Sequence, residues 1–98
     1  MSVAETILAQ LGGNKFLAMT GAKYLTAHDD ALSFKLPPSF ASSGINYVKI
    51  TLTPMDVYTV EAYRLRGVKA TLVESYDNVY VDMLRSVFTK VTGLNTSL

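Results

Sequence analysis

The 98-residue sequence contains no cysteine, which excludes disulfides, zinc–thiolate sites and thiol nucleophiles together. It contains a single histidine, His28, too few for the several-ligand sites that transition metals need. No apolar run approaches the roughly 20 residues of a membrane-spanning helix. The N-terminus lacks the basic flank and long apolar core of a secretory signal. Charge is scarce: Asp, Glu, Lys and Arg make up 17% of the chain, against about 25% in an ordinary soluble domain. Nine basic residues face eight acidic ones, for a formal net charge of +1, so the basic excess of a general nucleic-acid or membrane-surface binder is missing. These absences lead us to expect a cytoplasmic protein with no metal, no cofactor and no membrane partner. Asn95, Thr96 and Ser97 match a glycosylation sequon, but without a secretion route that match is chance.

What the chain does have is apolar side chains, 49% of its residues. Its length allows one domain, residues 1–98, with one core. So small a domain has too much surface to bury that much apolar area alone, and we expect a homo-oligomer.

Periodicity predicts an α+β fold, a mainly antiparallel sheet of five or six strands with an amphipathic helix at each end. Ser2-Val3-Ala4-Glu5 reads as a capping box, Val3, Ile7, Leu8 and Leu11 fall on one helical face, and Gly12-Gly13 stops the helix. Lys15 to Thr20 reads as a short central strand, apolar on both faces and broken by Gly21. Strands follow over Tyr24–His28 and Ala31–Leu36, turning at Asp29-Asp30 and ended by Pro37-Pro38. Ser39 to Gly44 is expected to be a mobile loop. Alternation returns over Asn46–Thr53, and Thr53-Pro54-Met55-Asp56 is a turn. Val57–Arg66 and Val68–Tyr76 then form a hairpin at Gly67. The faces of Val57–Arg66 are hard to rank without a β-bulge near Tyr63. Tyr80, Met83, Leu84, Val87, Phe88 and Val91 form a helical stripe over about Asn78–Thr92, capped by Asp77 or Asn78 and ended by Gly93.

Leu11-Gly12-Gly13-Asn14-Lys15-Phe16, Ala18 to Lys23, Ile50-Thr51-Leu52, and Val79-Tyr80 through Thr92-Gly93-Leu94 to Thr96-Ser97-Leu98 resemble a set of small proteins encoded by tailed bacteriophages and prophages. The resemblance runs nearly end to end and is loosest over Tyr24–Gly44. It carries no assigned activity and so no site residues. It implies an accessory protein working inside an infected or lysogenic bacterium, by binding a host protein, a defence component, a signalling nucleotide or DNA.

No catalytic constellation stands out. Gly12-Gly13-Asn14-Lys15 and Thr20-Gly21-Ala22-Lys23 each place lysine after glycine, but neither has the spacing of a P-loop, and they read as helix stop and turn. No Gly-x-Ser-x-Gly occurs. His28-Asp29-Asp30 reads as a hairpin tip and not as a metal site. Glu61 is a lone acid in mid-strand, and such a residue would need a cationic partner if buried. The remaining signal is a run of cations and aromatics: Tyr47, Lys49, Tyr58, Tyr63, Arg64, Arg66 and Lys69. Such residues on a sheet suit single-stranded nucleic acid or a nucleotide, rings for bases and charge for phosphates. They equally suit a solvated edge strand protected by its charges. The sequence therefore points to a non-enzymatic protein that binds a host or defence protein or sequesters a nucleotide signal. The alternative is single-stranded nucleic-acid binding through those seven residues.

Overall fold

The computed structural model describes residues 2–37 and 44–94. Ser2 caps the first helix, α1 (Val3–Leu11), its Oγ accepting the Glu5 backbone N–H at 3.1 Å, and Gly12 closes the helix on the carbonyls of Leu8 and Ala9. Ala4, Ile7 and Leu11 form its buried stripe. The next segment is a helix and not a strand: α2 spans Asn14–Thr20. Its buried residues are Phe16 and Thr20, four apart on one face, and the Thr20 hydroxyl donates to the Phe16 carbonyl at 2.8 Å. Leu17, Ala18 and Met19 are strong helix formers, and one buried helical face outweighs the two-sided apolar run that reads as a strand.

Five strands follow: β1 (Lys23–Ala27), β2 (Ala31–Lys35), β3 (Tyr47–Leu52), β4 (Tyr58–Arg66) and β5 (Lys69–Val79). They form one antiparallel sheet in chain order. The turn at Thr53–Asp56 closes with the Asp56 N–H on the Thr53 carbonyl. Between β4 and β5, Gly67 alone of the two loop residues has positive φ, +60°, which is the pattern of a type II′ hairpin. The chain ends in a 3₁₀ turn at Val81–Met83 and α3 (Leu84–Thr92), closed by Gly93 in the left-handed conformation.

That last helix starts later than its stripe suggests. Val79 is still in the ladder opposite Tyr58 and buried, and Asn78 sits at φ +56°. Neither Asp77 nor Asn78 caps the helix; Tyr80 precedes the 3₁₀ turn and Met83 precedes α3. Tyr80 and Met83 consequently stay exposed, whereas Leu84, Phe88 and Val91 are buried.

All three helices lie on one face of the sheet. Leu32 and Phe34 of β2, Val48 and Ile50 of β3, and Val60 and Ala62 of β4 point at them, and the core is one contiguous cluster. At its centre Phe16, Phe34 and Phe88, all fully buried, meet with ring centroids 5.1 to 6.1 Å apart. Fully burying such a side chain stabilises the fold by roughly 1.5–3 kcal/mol. The β4–β5 register does shift between Ala62 and Tyr63, and again between Tyr58 and Val60. The extra residue lies on β5 each time, so β4 alternates regularly against β3 while β5 absorbs both bulges. The expected loop, Ser39 to Gly44, lies outside the described residues except for Gly44, as does the sequon at Asn95. Among the described residues no helix is long and apolar enough to cross a membrane.

Candidate binding cleft and the open sheet face

With every helix on one side, the other side of the sheet carries no helix; Ala31 and Ser33 of β2 are nonetheless buried there, and the face opens over β3 and β4. Strand register places Ser33, Lys49, Glu61 and Ser75 in one transverse row on it, and Lys35, Tyr47, Tyr63 and Leu72 in the next. Of the residues proposed from sequence, Tyr47, Lys49 and Tyr63 are brought together here. The Tyr47 and Tyr63 rings lie 5.8 Å apart, tilted by 58°. Glu61 is half-buried on this face, directly across from Lys49, and accepts a hydrogen bond from the Tyr63 hydroxyl at 3.1 Å. Burial raises the Tyr63 phenol above its usual 10.0, and the hydrogen bond and negative charge of Glu61 raise it further.

Tyr58 does not belong with them. It faces the helices at 4% exposure, and its hydroxyl donates to the Gln10 side chain. Burial raises its pKa, an effect partly offset by that hydrogen bond. Its parity with Val60 and Ala62, not with Tyr63, sets this outcome. Arg64 shares that parity and is half-buried on the helix side, near Gly44. Arg66 and Lys69 are exposed register partners that straddle the Gly67–Val68 hairpin tip. The seven residues therefore do not form one patch.

A second arrangement was not singled out from sequence. At the end of the sheet where α2 hands over to β1, a cleft of about 440 Å³ is lined by Lys23, Tyr24, Lys35, Asn46 and Leu65, with Gly21, Leu36, Pro37 and Gly67 completing its wall. Lys23 and Lys35 are direct register partners across β1 and β2, a placement that like charges oppose. The Lys35 ammonium lies over the Tyr24 ring, 5.4 Å from its centroid. Tyr24 is 74% exposed and held at φ +55°, which costs a residue with a Cβ about 1–2 kcal/mol. Asn46 clamps Leu65 from both sides: its Nδ2 donates to the Leu65 carbonyl at 3.0 Å, and its Oδ1 accepts the Leu65 N–H at 2.7 Å. Gly21 closes α2 at φ +70°, and a Cβ there would meet Pro37 Cγ at 2.9 Å. Pairing the arms of the Asp29-Asp30 hairpin outward from Ala27 and Leu32 would set Tyr24 against Lys35; a β-bulge between Lys23 and Thr26 shifts the register and brings Lys23 opposite Lys35 instead.

Apart from Lys49, which faces Glu61 in mid-sheet, the cations of the sheet are segregated along the strands. Lys23, Lys35, Arg64, Arg66 and Lys69 collect at the cleft end, whereas Asp29, Asp30, Asp56 and Asp77 lie at the opposite end. A net charge near zero conceals this polarity. His28 is spent on the fold, its Nε2 lying 2.9 Å from the Ser33 hydroxyl. Among the described residues no three His, Asp or Glu side chains converge as a metal-ligand set.

The fold and this cleft define an α+β protein in two layers, helices on one face of a five-stranded antiparallel meander, with a basic cleft at the sheet's end. Comparison with protein-family models, with curated proteins and with solved structures finds no match.

Proposed function

We propose that this is a non-enzymatic accessory protein of a tailed phage, acting in the cytoplasm of the infected or lysogenic host by capturing an anionic target, foremost a nucleotide signal. The charge polarity of the sheet carries this reading: cations gather around an open cleft while Asp29, Asp30, Asp56 and Asp77 sit a strand's length away and Glu61 and Glu74 lie between. A field of that kind concentrates and steers anions even when the net charge is small. An acidic surface of a host or defence protein answers to the same field.

Single-stranded nucleic acid is the second reading, supported by the Tyr47–Tyr63 ring pair beside Lys49. It is the weaker one, because Glu61 stands among these residues and Tyr58 faces the core.

The test is recovery of the protein from infected host cells, followed by denaturation and analysis of everything released. A nucleotide or an acidic protein is expected from the wild type and is lost from a Lys23→Glu/Lys35→Glu/Arg66→Glu variant that still folds. Release of neither, from wild type, removes the reading. Gel shifts at low salt decide the second reading: nucleic acid bound through the open face is released steeply by salt and fails to bind a Tyr47→Ala/Lys49→Ala variant.

A further inference from the structure

We infer that the cleft between β1, β2 and the end of β4 is a mononucleotide site, in which Lys23 and Lys35 hold the phosphate and Tyr24 stacks on the base. The inference rests on the binding role proposed above and names its ligand class. Three features of the cleft converge on it, the first two set by one β-bulge in β1.

The first is the lysine pair. Folding sets two ammonium groups on directly opposed residues of an edge hairpin, and no carboxylate is among the described residues lining the cleft. Opposed like charges weaken a strand pair. A phosphate between them turns that repulsion into two charge-assisted hydrogen bonds, among the strongest a side chain makes. The second is Tyr24, an aromatic ring exposed at the cleft mouth on a backbone in the left-handed region. That φ belongs to the β-bulge between Lys23 and Thr26, a feature that re-aims a side chain at a sheet edge and recurs beside binding sites. A flat ring next to a cation is the surface on which bases stack. The third is the wall. Leu36, Pro37 and Leu65 provide apolar surface, and Asn46 has a second amide hydrogen left after its bond to the Leu65 carbonyl. The volume, about 440 Å³, is in the range of small-ligand sites and admits one base and one phosphate, not a strand.

The probes are the four ribonucleoside 5′-monophosphates, adenosine and inorganic phosphate, titrated calorimetrically into the full chain. At least one monophosphate is expected to saturate, with adenosine and phosphate each about tenfold weaker or more. Lys23→Ala and Lys35→Ala each weaken the monophosphate about tenfold, and Tyr24→Leu weakens it while leaving phosphate unchanged. Because each lysine variant relieves a repulsion, its unliganded Tm is expected to equal or exceed the wild type's, which separates lost binding from lost folding. Absence of saturation by all four monophosphates overturns the inference, as does binding that survives both lysine substitutions. Tighter binding of a 5′-phosphorylated oligonucleotide than of any mononucleotide also overturns it, in favour of nucleic acid. If the mononucleotides fail while a host protein is recovered from cells by a mechanism indifferent to Lys23 and Lys35, the cleft assignment falls and the binding role stands.

Discussion

The Asn46 side chain hydrogen-bonds both backbone groups of Leu65, standing in for a strand neighbour at the point where β3 has not yet begun. Its own backbone N–H donates to the Tyr63 carbonyl, and its carbonyl accepts from Leu36. One residue thus joins β2, β3 and β4 and fixes one wall of the cleft. Replacing Asn46 with Ala removes two bonds and leaves the Leu65 groups half-buried without them, at a cost of about 2 kcal/mol. Asn46→Asp retains the acceptor but sets a carboxylate oxygen against the Leu65 carbonyl, so its loss is at least as large. Urea unfolding of the three proteins measures the order.

Gly21 and Gly67 both have positive φ, but only Gly21 is crowded. Alanine at Gly67 incurs the left-handed penalty alone, about 1 kcal/mol. Alanine at Gly21 adds a collision with the Pro37 ring and destabilises more. Melting temperatures rank them: each kcal/mol shifts Tm by about 4–8 °C in a domain of this size.

Tyr58 and Tyr63 are expected to ionise above the usual 10.0, because burial opposes the charge of both phenolates. In alkali the unfolded chain gives up these protons first, so the folded state binds more protons than the unfolded one. Stability is therefore complete below pH 10 and falls as pH rises beyond the unfolded value. Tyr63→Phe flattens this decline. It is read from tyrosinate absorbance and from unfolding curves above pH 9.

Self-association follows from composition and from what the fold leaves uncovered. Tyr80, Val81 and Met83 are exposed around the 3₁₀ turn, and every residue of the edge strand β1 is exposed. Sedimentation at high concentration is expected to give a mass above the 10.7 kDa of one chain. A monomer at that concentration removes the expectation.

The strands were legible where burial alternates, as in β3, whose Val48 and Ile50 are buried between the half-buried Tyr47, Lys49 and Thr51. Lys15–Thr20 was not, because six mostly apolar residues carry too little periodicity to separate helix from strand. The faces of Val57–Arg66 resisted ranking for a non-local reason. The irregularity belongs to β5, which sits opposite, and no inspection of β4 alone reveals it. The candidate cleft was hidden differently. Lys23 and Lys35 each had an ordinary local reading, as a turn residue and as the polar member of an alternating strand. Only the β-bulge between Lys23 and Thr26 makes them a pair.

The three phenylalanines carry a consequence for the order in which this chain folds. Every strand pairs with its neighbour in sequence, so each ladder joins segments close together along the chain. The contact between Phe16 and Phe88 instead joins the two ends of the polypeptide. A contact with so large a loop to close is entropically the last to form. Phe88→Ala, at about 3–5 kcal/mol, is accordingly expected to accelerate unfolding far more than it slows folding, a difference that stopped-flow chevrons resolve. The aromatic trio is then a latch set after the sheet is assembled, and the lifetime of the native state depends on it more than on any strand.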